Sequence, residues 1–93
     1  MTRFILLTEI YEDQLLGHHS YMLREVLVNP EHIIMLRDDP LLKEKATLKG
    51  WPDGLDKRVA FCKLSMNTSS AHSTNISVVG ELAFLSEKLE DHG

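Results

Sequence analysis

The chain has 93 residues, of which ten are basic and fourteen acidic, giving a formal net charge of −4, and 43% of its residues are hydrophobic. This length predicts a single domain with a modest core, and the acidic balance argues against a nucleic-acid surface, which needs clustered Lys and Arg. The single cysteine, Cys62, excludes an intramolecular disulfide and a cysteine-based zinc site. We predict a reducing, cytoplasmic compartment. The first apolar run meets acidic residues from Glu9 onward, too early for a signal peptide or a membrane span.

The N-terminal segment 3–10 predicts a strand. Its early part is apolar on both faces, which is typical of a central or well-covered strand. The next segment, 11–23, contains Gly17, His18 and His19 between apolar residues. We interpret it as an irregular excursion that ends in a hairpin tip or a short helical turn.

The pair Asn29-Pro30 separates two further predicted strands, 24–29 and 32–37. Proline cannot donate to a ladder and pushes its predecessor towards extended geometry, so a tight turn or a single 3₁₀ turn is expected. Asp38 and Asp39, followed by Pro40, have the composition of a turn and end the third strand.

The segment 38–57 is the longest insertion. Residues 41–49 are mostly helix formers and Gly50 is a plausible helix stop, whereas Trp51 and Pro52 begin a turn that runs to Gly54. Loops of this length within compact domains are usually functional or mobile.

The C-terminal third predicts two more strands, 58–66 and 76–79, joined by a small polar hairpin loop over 67–75. Alternation in the first of them places Cys62 on a core face with Leu64 and Met66. Residues 81–91 then predict a helix whose apolar stripe contains Leu82, Leu85 and Leu89.

These elements predict an α+β fold with a small antiparallel sheet of about five strands, curled or barrel-like, and one C-terminal helix packed on a face. We predict one domain over 1–93, with insertions at 11–23, 38–57 and 67–75. Edge strands and a modest core also favour a homo-oligomer.

The order of these elements resembles that of the small flagellar FlbD-type proteins and their look-alikes in phages and other mobile elements. The matching residues are Ile5-Leu6-Leu7-Thr8, the Asn29-Pro30-Glu31-His32-Ile33-Ile34 motif, and Val78-Val79 leading into Glu81-Leu82. The resemblance covers about half of the chain and rests on structural motifs. It implies a β-meander with a helix and a non-enzymatic role, and it assigns no functional residue.

Trp51 is the first candidate for a binding residue, because it is the single tryptophan and lies in the long insertion. A loop tryptophan is either a staple over a small core or an exposed hot-spot residue, and the sequence leaves both open. Three basic residues, Arg37, Lys57 and Arg58, lie near the ends of the insertion. They could frame an anion or an acidic partner, although solvated charges at strand ends are the commoner case.

The polar loop 67–75 supplies two further candidates, Ser70 and His72. Its hydroxyls and amides could hold a nucleotide-like anion at a subunit interface. Flexible polar loops do not hold a catalytic triad, and Cys62 has the pattern of a core residue. The pair His18-His19 lacks further ligands at metal-binding spacing, so we expect no metal site. Because the sequence has no catalytic constellation, we also expect no cofactor and no enzymatic activity.

The sequence therefore favours a small non-catalytic binding protein, encoded by a phage or mobile element, that modulates or inhibits a host protein by stoichiometric binding. The alternative is a protein that sequesters a nucleotide-like ligand with the 67–75 loop. Neither a nucleic-acid partner nor a membrane is expected.

Overall fold

The computed structural model describes residues 3–13, 20–67 and 73–90. Its strands are β1 (Ile5–Asp13), β2 (Ser20–Val28), β3 (Ile33–Asp38), β4 (Phe61–Asn67) and β5 (Ser73–Val79), and its helices are α1 (Pro40–Lys49) and α2 (Leu82–Glu90). The strands form one antiparallel sheet in the order β2-β1-β5-β4-β3. The predicted five-stranded sheet with a C-terminal helix is confirmed. The sheet is not closed into a barrel, because β2 and β3 lie at its two edges.

The first hairpin is more regular than the sequence predicted. β1 continues to Asp13 and β2 begins at Ser20, so the predicted irregular excursion over 11–23 is wrong at residues 11–13 and 20–23. Cross-strand contacts explain the extension, since the Arg24 guanidinium lies 4.2 Å from the centre of the Tyr11 ring. Residues 14–19, with His18 and His19, lie outside the described residues.

The second hairpin is also longer than expected. The polar loop predicted at 67–75 is shorter, because β4 includes Asn67 and β5 starts at Ser73, where the two residues pair. Small polar residues there continue the ladder: the Ser65 hydroxyl donates to Oδ1 of the paired Asn75 at 2.7 Å.

Polar caps fix the connections around β3. Asn29 Oδ1 accepts from the Glu31 amide at 3.0 Å and begins the predicted 3₁₀ turn, Pro30–His32. Asp39 caps α1 by accepting from the Leu42 amide at 3.3 Å, and Gly50 ends that helix, as predicted. The helix formers of the 38–57 insertion thus form a second helix, in addition to the single C-terminal helix expected.

The two helices cover opposite faces of the sheet. Leu85 of α2 packs on the face that carries the buried residues Ile5, Leu7, Val28, Cys62, Leu64 and Val78. Ala46 of α1 packs on the other face, against Ile10, Tyr21 and Phe61. Successive side chains of a strand point to opposite faces of the sheet. In β1, Ile5 and Leu7 therefore point towards α2, and Ile10 points towards α1. The core register predicted for Cys62 and Leu64, and the packing of the α2 stripe, are both confirmed.

Candidate functional site

The outer edge of β2 presents unpaired backbone groups. All nine residues of β2 pair with β1 without a register shift. The Tyr21 amide donates away from β1, to the Gly50 carbonyl at 3.2 Å. Because backbone groups alternate in direction along an antiparallel strand, the amide and carbonyl groups of Leu23, Glu25 and Leu27 also point away from β1. No residue in the described part of the chain pairs with them.

The opposite edge of the sheet is a poorer template for a further strand. β3 has six residues, and a register shift between Ile33 and Met35 interrupts its ladder. A short, bulged edge is one of the devices by which proteins discourage strand addition. The longer and uninterrupted β2 edge has neither protection.

An open cleft of about 330 Å³ adjoins the N-terminal end of the β2 edge. Its walls are residues 20–23 of β2 on one side and Trp51, Pro52 and Asp53 on the other. Trp51 is half-buried: its Nε1 donates to the Leu55 carbonyl at 2.8 Å, and its ring centre lies 5.5 Å from that of Phe61. These contacts hold the indole as a staple, and its position in the cleft wall also leaves it accessible to a partner. The structure thus shows the staple contacts, and the hot-spot role of Trp51 stays a prediction.

The side chains along this edge are a mixture of apolar groups and one acid. Leu27 is 63% exposed and Met22 is 42% exposed. Glu25 is exposed and lies between Leu23 and Leu27 on the same face of the strand. An apolar strip with a central carboxylate therefore accompanies the unpaired backbone.

The neighbouring charge on β2 is already neutralised. Arg24 binds the buried carboxylate of Glu9 with two hydrogen bonds, from Nε to Oε1 at 2.8 Å and from Nη2 to Oε2 at 3.3 Å. These bonds, and the charge of Glu9, raise the pKa of Arg24. Glu25 is then the charge on this strand that faces an incoming segment.

The cations predicted to frame a site do not share the Trp51 cleft. Arg58 binds Asp56, with Nη2 to Oδ2 at 2.8 Å, and lines a separate cleft beside Gly80 and Phe84. That ion pair raises the pKa of Arg58 and lowers the pKa of Asp56. Arg37 is exposed on β3 opposite Lys63, and Lys57 is exposed in the connection to β4.

Most of the predicted 67–75 ligand loop lies outside the described residues. Ser70 and His72 lie outside the described residues, as do His18 and His19. Among residues 3–13, 20–67 and 73–90, no group of His, Cys, Asp and Glu side chains has the arrangement of a metal site.

Cys62 is fully buried in the core beneath α2. Its Sγ lies 3.4 Å from the Gly80 carbonyl and 3.8 Å from Oδ1 of Asp38. Burial, followed by the negative charge of Asp38, raises the pKa of the thiol to about 11. A protonated, enclosed thiol is a poor nucleophile.

The edge residues Leu23, Glu25 and Leu27 were not among the candidates from the sequence. Their alternating pattern signals a strand, but whether a strand is central or at an edge depends on the pairing of β1 with β5. That contact joins residues far apart in the chain and carries no local signal.

Comparisons with family models, with curated proteins and with solved structures each return no match. Neither helix of the described part of the chain has the length and apolar character needed to cross a membrane.

Proposed function

We propose that this chain is a non-catalytic protein-binding module that takes an extended segment of a partner protein onto the β2 edge. The observation that carries the proposal is the uninterrupted strand whose outward backbone groups at Leu23, Glu25 and Leu27 have no partner in the described structure. Addition of a strand to such an edge is a recurring mode of peptide recognition.

The cleft beside Trp51 extends this surface. A segment lying along residues 23–28 would cover about 20 Å of backbone, and its end would reach the wall formed by Trp51 and Pro52. Main-chain hydrogen bonds would supply affinity, and side-chain contacts with Leu27 and the cleft would supply specificity. The burial of Cys62 and its raised thiol pKa argue against thiol chemistry at this residue.

We extend the proposal in three ways: the chain modulates a host protein, it is encoded by a phage or mobile element, and it forms a homo-oligomer. The half-chain resemblance described above supports the first two of these, and the homo-oligomeric state stays a prediction.

A pair of variants at one position tests the β2 edge. Glu25→Pro removes an amide that points away from β1, so the β1 ladder keeps its bonds, whereas Glu25→Ala removes the same side chain and keeps the amide. Each tagged protein is used to capture partners from cells that carry the gene, and the captured protein is purified and titrated calorimetrically. We expect a stoichiometric partner that binds native protein and Glu25→Ala, and that binds Glu25→Pro at least about tenfold more weakly.

Equal binding by Glu25→Pro and Glu25→Ala, with both variants folded, would exclude strand addition at β2. Hydrogen exchange adds an independent measurement, since the amides of Leu23 and Leu27 should gain protection in the complex. Native mass spectrometry of the purified chain examines the alternative function, because a retained nucleotide-like ligand would add a defined mass.

A further inference from the structure

We infer that the segment accepted by the β2 edge carries a Lys or Arg flanked on the same face by apolar residues, and that a second copy of β2 is a poor occupant. This inference rests on the proposed function. It follows from the position of Glu25 between Leu23 and Leu27 on one face of the open edge.

An incoming strand would place side chains directly opposite Leu23, Glu25 and Leu27. Directly opposed side chains on neighbouring antiparallel strands lie about 4.5–5.5 Å apart, and opposite charges attract at that distance while like charges repel. A basic residue in the incoming strand would face Glu25. Its neighbours two positions away would face Leu23 and Leu27, of which Leu27 is 63% exposed.

Arg24 is the other charged residue in this part of β2, and a free guanidinium there would attract an acidic segment instead. Its guanidinium is held by Glu9 at 2.8 Å and lies over the ring of Tyr11 at 4.2 Å. The buried carboxylate of Glu9 satisfies that charge, so Arg24 does not offset the preference set by Glu25.

A second copy of β2 could also pair with this edge. Outward-facing backbone groups can pair only with each other, which leaves three central registers for two β2 strands related by a twofold axis. Centring on Glu25 opposes two carboxylates, and centring on Arg24 places each Glu25 against Leu23 of the other copy. Centring on Val26 places each Glu25 against Leu27 of the other copy. None of the three provides an attractive charge pair, so Glu25 acts as a guard against self-association at this edge.

Two peptide probes test this inference: acetyl-Thr-Val-Thr-Lys-Thr-Val-Thr-amide and the same peptide with Glu in place of Lys. Each is titrated into isotope-labelled native protein, Glu25→Lys and Glu25→Pro, and the affinity is read from amide chemical shifts. We expect native protein to prefer the Lys peptide by about tenfold, which corresponds to one attractive against one repulsive cross-strand pair. Glu25→Lys should reverse the preference, and Glu25→Pro should bind neither peptide. Added salt should weaken the preference.

Equal affinities for both peptides, with shifts confined to residues 23–28, would overturn the charge preference and leave strand addition intact. The absence of shifts with either peptide would overturn the inference, while the captured partner would still test the edge itself. Sedimentation of Glu25→Thr tests the guard: we expect more self-association than in native protein, and an unchanged monomer fraction would contradict that role.

Discussion

The indole Nε1 of Trp51 donates to the Leu55 carbonyl at 2.8 Å, which closes the loop after α1 over the buried residues on the α1 face of the sheet. Removal of the whole side chain in Trp51→Ala loses this bond and the contact with Phe61. We expect unfolding free energy to fall by about 2–3 kcal/mol, below the cost of truncating a fully buried tryptophan. Chemical denaturation measures this loss.

Trp51→Phe separates the staple from the binding surface. It keeps an aromatic ring against Phe61 but loses the hydrogen bond and the contacts of the second indole ring, so stability should fall by about 1–2 kcal/mol. Partner binding is then measured on folded protein. A binding loss larger than about tenfold for this variant would identify the indole as a contact, and undiminished binding would leave Trp51 with the staple role alone.

Leu85 is the centre of the α2 face, with 2% of its surface exposed, and its neighbour Phe84 is 60% exposed. Leu85→Asp would bury an unpaired charge, so we expect a loss of at least about 3 kcal/mol, or an aggregated protein. Phe84→Asp is the matched control, with an expected change within about 0.5 kcal/mol. Similar melting temperatures for the two variants would show that α2 does not pack through Leu85.

Gly80 approaches the same leucine. A Cβ at Gly80 would lie 2.9 Å from Cγ of Leu85, and its φ of +143° is unfavourable for other residues. Leu85 is enclosed by the core and has little room to move, so Gly80→Ala should cost about 2–3 kcal/mol. Gly54 provides the control, because its φ is +80° and a Cβ there would have no atom within 4 Å.

Gly54→Ala should lose only about 1 kcal/mol through backbone strain. Equal losses for the two alanine variants, measured by thermal unfolding, would contradict a steric role for Leu85. Each 1 kcal/mol corresponds to a shift of roughly 4–8 °C for a domain of this size.

The sequence was most informative where the physical cause is local. The alternation around Cys62, the Asn29-Pro30 turn and the stripe through Leu85 each depend on residues close in the chain, and the structure confirms all three. The extension of β1 and β2 into the 11–23 segment was missed, because Tyr11 contacts Arg24 on the other strand.

The candidate site was less accessible to sequence reasoning. The β1–β5 pairing, through Glu9 with Val78 and Ile10 with Ser77, decides that β2 lies at an edge. Trp51 could be singled out by residue type, but its ring contact is with Phe61, which belongs to a later strand. Non-local pairing therefore determines the surface on which the proposed function rests.

Cys62 should react with a thiol reagent slowly in the native state and rapidly in denaturant. Its side chain is fully buried, and burial with the nearby Asp38 raises the thiol pKa to about 11, so little reactive thiolate exists at neutral pH. Leu48→Cys in a Cys62→Ala background is the control, because Leu48 is 86% exposed and should label at once. Rapid stoichiometric labelling of native protein at Cys62 would contradict the packing of α2 over β4.

The same thiol makes stability sensitive to alkaline pH. The unperturbed thiol pKa is 9.0 and the folded value is about 11, so the folded state retains a proton that the unfolded chain releases between these values. Stability should be complete below about pH 9 and should fall as pH rises towards 11, by roughly 2 kcal/mol from this group. Tyr21, whose pKa burial also raises, adds a loss of the same sign at higher pH. Denaturation of native protein and Cys62→Ala across this range isolates the thiol: the variant should lose the Cys62 part of the decline, and identical pH profiles would show that the thiol does not titrate as its burial requires.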